Sequence, residues 1–379
     1  MIYFDNAATT AVKPPEVAEA VARAVNSFGG VGRGVHEASL DAGYAVFRAR
    51  QQLARLFGAA DPSCVSFASN ATEALNTAIA GLARPGDKLV TTAASHNSVL
   101  RPLYRLADER GCEVVVVPHD ARGALDYDAL EAALPGARLA AVTHASNLTG
   151  DVYDIARIAR LCRDRGALLV ADAAQTAGVV PIDMGRDGLD VVAFTGHKSL
   201  YGPQGTGLLL CGAEGKPLLY GGTGSMSRLQ DMPPDLPDRL EPGTHNMPGI
   251  AGLLEGIRFV RRQGVETIAA RERQVALRAA RGLESLPGVR VFWDRELRHQ
   301  TGVVSFVTEG RDCEAVGEAL ARRGIALRAG LHCAPLAHRT AGTLETGTLR
   351  LSTSFFNTPD QADRLVWAVS RVLRENVEL

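Results

Sequence analysis

The chain has 379 residues and a formal net charge of −1, which argues against a nucleic-acid or acidic-membrane surface as its partner. Its 46% hydrophobic and 22% charged residues are ordinary for a globular enzyme with one large and one smaller domain. The apolar runs are too short to span a bilayer, no secretory signal is visible, and the six cysteines form no C-x-x-C pair. We therefore expect a cytoplasmic protein with reduced thiols, no metal and no membrane or nucleic-acid partner.

The first chemically suggestive segment runs from Phe67 to Asn76, where an extended stretch passes into a helix. Small residues and the Thr72 hydroxyl at the helix start provide free backbone N–H groups and a favourable dipole for an anion such as phosphate. Taken alone, the segment is better interpreted as an ordinary helix cap made by Thr72 or Asn70.

Six short apolar segments follow along the chain and predict strands covered on both faces. They span residues 88–92, 113–117, 139–143, 168–171, 191–194 and 207–211. Most are separated by helical patterns, such as the one from Asp151 to Arg163. Strands that alternate with helices predict an α/β fold with a large, doubly wound, mostly parallel sheet. The last two segments are joined by a short turn and are expected to pair antiparallel.

The rest of the chain begins with a Gly- and Pro-rich stretch, residues 220–248, which predicts a long loop of functional importance. A helix is predicted over 266–286, a strand over 302–307, and a last helix starting with a capping box from Thr358 to Gln361. We expect residues 15–254 to form the large domain. Residues 1–14 and 255–379 are expected to form a smaller α/β domain.

Polar side chains follow several of the predicted strands at their carboxyl ends, where ligands bind in open α/β sheets. They are His96, Asn147, Asp172, Gln175, Thr195, His197 and Lys198. A lysine that forms a Schiff base and an aspartate that pairs with a pyridinium nitrogen are the protein groups needed by pyridoxal phosphate (PLP). Lys198 and Asp172 therefore predict a PLP site.

Each of these residues also has an ordinary structural interpretation. Asp172 at a strand-to-helix junction suits a helix N-cap. His96 and His197 suit hydrogen-bonded structural histidines, and Arg350 suits a surface ion pair of small energy. The ordered set at one edge of the sheet favours the functional interpretation for Lys198, Asp172, His96 and Arg350.

The chain resembles class V aminotransferase-type PLP enzymes, in the cysteine desulfurase and selenocysteine lyase branch. The similar segments are Asp5–Thr10, Arg33–His36, Asn70–Ala74, His96–Asn97, Ser146–Asn147, Asp172–Gln175, Gly196–Lys198, Arg328–Cys333 and Arg350–Ser352. The resemblance implies the fold of PLP-dependent transferases (fold type I). Departures at Gly32, Ser95 and Leu331 leave the amino-acid substrate open.

The resemblance also implies roles for individual residues. Lys198 would carry the cofactor, Asp172 would hold its ring nitrogen, His96 would stack on the ring and Gln175 would bind its phenolic oxygen. The phosphate would be held by Ala71, Thr72, Thr195 and His197, with Thr244 reaching it from the second subunit of a homodimer. The substrate side would comprise Asn147, Arg328, Arg350 and Arg33.

Cys333 differs from the other cysteines because it lies in a Gly- and Pro-flanked loop beside His332 and close to Arg328. We expect the adjacent histidine and arginine to favour its thiolate. In the family, a cysteine here attacks the sulfur of the substrate and keeps it as a persulfide, while alanine leaves. The implied catalytic set is thus Lys198, Cys333, His96 and Asp172.

The sequence favours a cysteine desulfurase acting on L-cysteine, with a sulfur-acceptor protein as a further partner. A selenocysteine lyase acting on L-selenocysteine is an alternative, as is an aminotransferase, an epimerase or another β-eliminating lyase. A non-catalytic sulfur-transfer scaffold is the alternative from a different class. Cys333 argues against the aminotransferase and epimerase, and Lys198 argues against the scaffold.

Overall fold

The computed structural model of the protein describes residues 1–32, 34–120, 123–295 and 299–375. In chain order its strands are β1 (Ile2–Tyr3), β2 (Val65–Ala68), β3 (Lys88–Thr92), β4 (Glu113–Val117), β5 (Ala137–Thr143), β6 (Leu168–Asp172), β7 (Val191–Thr195), β8 (Gly207–Cys211), β9 (Val289–Phe292), β10 (Val303–Thr308), β11 (Ile325–Ala326), β12 (Arg328–Gly330) and β13 (Thr348–Ser352). Its helices are α1 (Pro15–Ser27), α2 (Glu37–Leu56), α3 (Ala71–Leu82), α4 (Asn97–Arg110), α5 (Tyr127–Ala133), α6 (Ile155–Asp164), α7 (Met184–Asp187), α8 (Met247–Gln263), α9 (Val265–Glu284), α10 (Cys313–Arg322), α11 (Pro335–Ala341) and α12 (Pro359–Arg374).

The central sheet has seven strands in the order β2-β8-β7-β6-β5-β3-β4. Strands β7, β6, β5, β3 and β4 run parallel, whereas β8 pairs antiparallel with both β2 and β7. Apolar clusters cover the sheet on both faces, which explains why its strands are apolar without alternation. The predicted α/β class with a mostly parallel sheet is confirmed, and so is the antiparallel pairing of β7 with β8.

Three strands extend beyond their predicted limits: β5 starts at Ala137, β6 ends at Asp172 and β7 ends at Thr195. The last residues of β6 pair with their neighbours, because Asp172 lies opposite Thr143 on one side and Ala193 on the other. The backbones of Asp172 and Thr143 are therefore held by a regular ladder, which fixes the positions of both polar side chains at the sheet edge.

A second, antiparallel sheet has the order β12-β13-β10-β9, and β1 pairs parallel with β11 beside it. The capping box at Thr358 and Gln361 is present. The predicted domain limit between residues 254 and 255 falls inside α8, and the division into two domains stays a prediction. No helix in the described part of the chain has the length and apolar character needed to cross a membrane.

The Gly- and Pro-rich stretch between β8 and α8 is fixed to the large sheet by a buried ion pair. Both oxygens of Glu241 accept hydrogen bonds from Arg50 of α2, at 2.8 and 2.5 Å. Glu241 also accepts from the backbone N–H of Phe67 on the edge strand β2. This clamp holds the stretch that carries Thr244, as expected for a long loop with a function.

Candidate active site

Lys198 lies in a tight turn directly after β7. The backbone N–H of Tyr201 donates to Lys198 O, and the Thr10 hydroxyl donates to His197 O at 3.0 Å. A Cβ on Gly196 would lie 2.4 Å from Thr206 Oγ1, so only glycine fits where the turn begins. The loss of hydration around the lysine Nζ lowers its pKa to about 8. About a tenth of Lys198 is therefore neutral and nucleophilic at pH 7, far more than of an ordinary lysine.

Asp172 is buried at the end of β6, with 4% of its surface exposed. Its Oδ1 accepts a hydrogen bond from the backbone N–H of Ala174 at 3.0 Å, but no helix begins there, so the N-cap interpretation is wrong. Burial raises the pKa of the carboxyl, and the positive charge of Lys198 opposes that shift. A second cation beside Asp172 would stabilise its ionised form further.

The start of α3 provides the predicted anion site. The N-cap is Asn70, whose side chain accepts from the backbone N–H of Glu73 at 3.0 Å. The backbone N–H groups of Ala71 and Thr72, in the first turn, have no partner within the helix. A Cβ on Gly207 would lie 2.3 Å from Asn70 O, so this glycine lets β8 approach the helix start closely. Because Asn70 makes the cap, the Thr72 hydroxyl is free for another contact, with Ser98 Oγ at 3.0 Å.

Two histidines near Lys198 are held as neutral rings. His96 caps α4, and its Nδ1 accepts from the backbone N–H of Ser98 at 3.0 Å, which places the ring proton on Nε2. Burial, with the charge of Lys198, lowers the pKa of both His96 and His197 to about 4. The Nδ1 of His197 is buried without a hydrogen-bond partner among the described residues.

These groups surround one cavity of about 220 Å³, the central cavity. Its walls include every residue predicted to hold the cofactor except Thr244: Ala71, Thr72, His96, Asn147, Asp172, Gln175, Thr195, His197 and Lys198. A larger hollow of about 1050 Å³ lies near His119 and Trp293, but none of the predicted cofactor residues is among the described residues that line it. The positions of the predicted cofactor residues therefore favour the smaller cavity as the active site.

Arg350 of β13 is buried beside the central cavity, with 3% of its surface exposed. Its Nη1 donates to Asn147 O at 2.9 Å and its Nη2 donates to Asp5 Oδ1 at 3.3 Å. Its Nε is buried without a hydrogen-bond partner in the described structure. A guanidinium with an open N–H group is suited to a carboxylate ligand. Because the Arg350 side chain is buried and only Asp5 is partly exposed, the interpretation of Arg350 as a surface ion-pair partner is wrong.

Cys333 lies in a strained loop that adjoins the central cavity. His332 and Cys333 have φ angles of +48° and +57°, a conformation that non-glycine residues rarely adopt. The Asn147 amide donates to His332 O at 2.6 Å, and the backbone N–H of Asn97 donates to Cys333 O at 2.9 Å. These contacts hold the exposed Cys333 in a groove of about 290 Å³ that shares Thr72, His96 and Ser98 with the central cavity.

The predicted influence of His332 on Cys333 is wrong. The imidazole is buried, its Nε2 is 2.9 Å from Thr348 Oγ1, and burial lowers its pKa to about 2. A neutral ring contributes no positive charge to a thiolate.

Other predicted residues lie further from the central cavity. Thr244 is exposed and does not line the cavity of its own subunit. Arg328 is half-exposed and contacts Asp5 at 3.6 Å. Arg33 lies outside the described residues. No cluster of three or more His, Cys, Asp or Glu side chains that could hold a metal ion occurs in the described part of the chain.

Sequence reasoning assigned no role in the site to three residues that the fold brings there, although it named Asn70 as a candidate helix cap. Asn70 and Ser98 line the central cavity, and the Lys13 Nζ donates to Thr10 Oγ1 at 2.9 Å behind His197. Burial lowers the pKa of Lys13 to about 8. Asn70 belongs to one of the segments that resemble the family. Ser98 and Lys13 lie outside all of those segments, so nothing in the sequence marked them as site residues.

Comparison with known proteins agrees with this geometry. The family model named Aminotransferase class-V matches residues 2–365. Proteins named "Probable cysteine desulfurase" from Pyrococcus abyssi and Aeropyrum pernix are 31% and 35% identical, over 99% and 98% of this chain and 94% of each relative.

Solved structures show the same relationship. A cysteine desulfurase from Thermococcus onnurineus NA1 superposes with a TM-score of 0.92 at 33% identity, and one from Escherichia coli with a TM-score of 0.87 at 31% identity. Each comparison covers 98% of this chain and 94% of the other. The predicted fold type is confirmed, and the chain belongs to the class V aminotransferase family of enzymes.

Proposed function

We propose that the protein is a PLP-dependent cysteine desulfurase that converts L-cysteine to L-alanine and keeps the released sulfur as a persulfide on Cys333. The observation that carries the proposal is the placement of three groups. Lys198 and Asp172 line one cavity, and Cys333 lies in the groove that shares a wall with it. A transaminase or an epimerase has no need of the exposed thiol.

The residues of the central cavity fit PLP. The free N–H groups at the start of α3 suit its phosphate, and the unpartnered His197 Nδ1 offers a further hydrogen bond. The buried Asp172 carboxyl suits a cationic ring nitrogen, because a cation there offsets the cost of its burial. When bound, PLP supplies an electron sink that weakens the Cα–H bond of the substrate.

The chain's own groups then have defined tasks. Lys198 Nζ holds the cofactor and, once free, accepts the proton from the substrate Cα, for which a pKa near 8 is well matched to neutral pH. The neutral His96 ring lies in the cavity wall and suits stacking on the cofactor. Gln175, whose amide donates to Ala7 O at 3.2 Å, is assigned to the phenolic oxygen, and Thr195 with His197 to the phosphate.

The substrate carboxylate binds at Arg350, with Asn147, Arg328 and Arg33 assigned to the same side. The open Nε of Arg350 is the donor available to it. Asn147 connects this site to the thiol, because its backbone carbonyl accepts from Arg350 and its side-chain amide donates to His332 O. A bound carboxylate and the Cys333 loop are therefore held by the same residue.

The sulfur-transfer step takes place at Cys333. Its thiolate attacks the substrate sulfur, and the S–S bond forms as the substrate C–S bond breaks and leaves its electron pair on Cβ. The carbon fragment then gains a proton at Cβ, recovers the Cα proton from Lys198 and leaves as alanine. The sulfur remains as a persulfide at an exposed position. An acceptor thiol, on a partner protein or a small molecule, removes it.

We further propose a homodimer in which Thr244 completes the phosphate site of the second subunit. Thr244 does not contribute to the cavity of its own chain. Leu40, Tyr44 and Phe47 form an exposed apolar row on α2, the helix whose buried Arg50 clamps the loop with Thr244. Rows of this kind mark protein interfaces.

The proposed location is the cytoplasm, which the six free cysteines support.

The direct experiment supplies L-cysteine, L-selenocysteine and L-cysteine sulfinate separately to the PLP-loaded enzyme and measures alanine. With a thiol reductant present to release the persulfide sulfur, alanine and sulfide from L-cysteine are expected. Alanine from L-selenocysteine alone would assign the protein to selenocysteine lyases, and no alanine from any of the three would reject the proposal.

A further inference from the structure

Two arginines lie directly opposite each other next to the central cavity. In the antiparallel pair β12–β13, Arg328 is in register with Arg350. Like charges that face each other across two strands repel. Arg350 is also almost fully buried, and a buried cation requires an anionic partner or strong hydrogen bonds. The pair therefore needs a negative charge to hold it in place.

That charge is supplied by Asp5. Its Oδ1 lies 3.3 Å from Arg350 Nη2, and its Oδ2 lies 3.6 Å from Arg328 Nη1. Each carboxylate oxygen thus contacts a different guanidinium. The three side chains form a bridge in which Arg350 is buried, Asp5 is partly buried and Arg328 is half-exposed.

The backbone around Asp5 is fixed independently of the arginines. The N–H of Ser352 donates to Phe4 O at 2.7 Å, and the N–H of Ala7 donates to Ser352 Oγ at 2.8 Å. Asp5 itself forms a parallel β-bridge with Ser352, two residues beyond Arg350. Asp5 is thus paired with β13, the strand that carries Arg350. Because the backbones of the two residues are fixed to each other, the carboxylate sets where the guanidinium lies.

The contacts of Arg350 leave its buried Nε–H group open to a ligand. Nη1 is used by Asn147 O and Nη2 contacts Asp5, whereas the buried Nε has no partner in the described structure. We propose that Asp5 is a positioning residue for substrate recognition: it keeps Arg328 and Arg350 together and aims the free Nε edge of Arg350 at the substrate carboxylate. This inference rests on the proposed function, which places an amino-acid carboxylate at Arg350.

The first test measures KM and kcat of the PLP-loaded enzyme for L-cysteine in Asp5→Asn. The variant keeps the size of the side chain but loses the charge that both arginines share. KM is expected to rise about tenfold, the scale of one hydrogen bond to a charged group, while kcat changes little. Asp363→Asn is the matched control, because Asp363 accepts two hydrogen bonds from Arg278 on the exposed surface; its KM is expected to stay at the wild-type value.

The second test separates positioning from a general structural role. Dissociation constants of L-alanine and of ethylamine, which lacks the carboxylate, are measured from the visible absorbance of the bound cofactor. Asp5→Asn is expected to weaken L-alanine binding about tenfold and to leave ethylamine binding unchanged. Equal loss for both ligands would show a structural effect and overturn the proposal. Unchanged or tighter L-alanine binding would overturn it too, because Asp5 would then be neutral or compete with the substrate.

If Asp5→Asn does not fold, the double variant Asp5→Asn/Arg328→Gln removes one of the two opposed cations and takes its place. Because Arg328 is itself assigned to the substrate side, the reference is Arg328→Gln alone. A further selective loss of L-alanine binding is expected in the double variant, and an L-alanine affinity equal to that of Arg328→Gln would overturn the proposal. The binding test needs no turnover. It therefore still reports on Asp5 if the wild-type enzyme makes no alanine from L-cysteine, a result that would reject the proposed function instead.

Discussion

At the scale of single residues, the electrostatics of the central cavity divide the chemical work between Lys198 and Asp172. Both groups lose hydration, and the loss acts in opposite directions on an amine and a carboxyl. It lowers the pKa of Lys198 to about 8 and raises that of Asp172. The neutral amine is thereby made available to an aldehyde, while the carboxyl is prepared for a cation.

The first prediction concerns the pH dependence of PLP capture by the apoenzyme. The neutral amine is the nucleophile, and its pKa is lowered from the ordinary lysine value of about 10.4 to about 8. The capture rate should therefore rise with pH up to about 8 and then level off. Stopped-flow absorbance measures the rate, with Lys198→Ala as the control that captures no cofactor. An inflection near that of a free lysine would contradict the assigned environment.

The second prediction is that Asp172→Asn binds PLP but loses most of its activity. The amide keeps the shape of the side chain and cannot hold a proton on the ring nitrogen by charge. Alanine production and cofactor content per subunit are both measured. Near-wild-type turnover with full cofactor content would show that Asp172 has only a structural role.

Which site residues could be predicted from sequence depended on whether their partners are local. Asp172 and Lys198 each follow an apolar strand, and the carboxyl ends of neighbouring parallel strands meet at one edge of the sheet, so their proximity could be predicted. Asp5 was visible in a family-like segment but received no role, because its partner Arg350 is 345 positions away. His332 was misinterpreted for a related reason: its burial, which removes its charge, depends on distant residues that the local sequence does not reveal.

At the scale of elements, a buried ion pair connects the long loop to the sheet. Arg50 and Glu241 are 8% and 6% exposed, and they join α2 to the segment with Thr244. The sequence indicated a functional loop but not its anchor, because the two residues are 191 positions apart. The six central strands predicted from their apolar runs lie within about two residues of their observed limits, since such runs are local in sequence.

The third prediction is that Glu241→Gln destabilises the protein by about 3–5 kcal/mol, because Arg50 is left as a buried charge without its partner. Urea unfolding of the holoenzyme measures the change. Glu109→Gln is the matched control: Glu109 pairs with Arg105 at 2.8 Å on the surface of α4, where solvent screens the pair, and little change is expected. Similar losses in both variants would contradict the role assigned to the buried clamp.

At the scale of the whole molecule, the proposed dimer accounts for features that a single subunit leaves without a purpose. Thr244 lies on an exposed loop away from its own cavity. Leu40, Tyr44 and Phe47 are each more than half exposed on one face of α2. Closed two-fold dimers are the most common oligomers and would bury such a face.

The fourth prediction is that Tyr44→Glu shifts the protein from dimer to monomer and weakens PLP binding, because the second subunit no longer supplies Thr244. Light scattering gives the mass, and equilibrium dialysis gives the cofactor affinity. Trp367→Glu is the control, since Trp367 is 62% exposed on α12, which packs against the four-stranded sheet and not against α2. This variant should remain dimeric. A fully loaded and active Tyr44→Glu monomer would contradict the shared site.

The central claim is that Cys333 receives the substrate sulfur, and intact-mass spectrometry tests it most directly. The holoenzyme is mixed with L-cysteine without a reductant or an acceptor thiol, and the products are digested and sequenced. The account predicts one added sulfur atom on Cys333 with an equal amount of alanine, and neither product in Cys333→Ala. Alanine formed by Cys333→Ala at the wild-type rate, or sulfur found on another of the six cysteines, would contradict it.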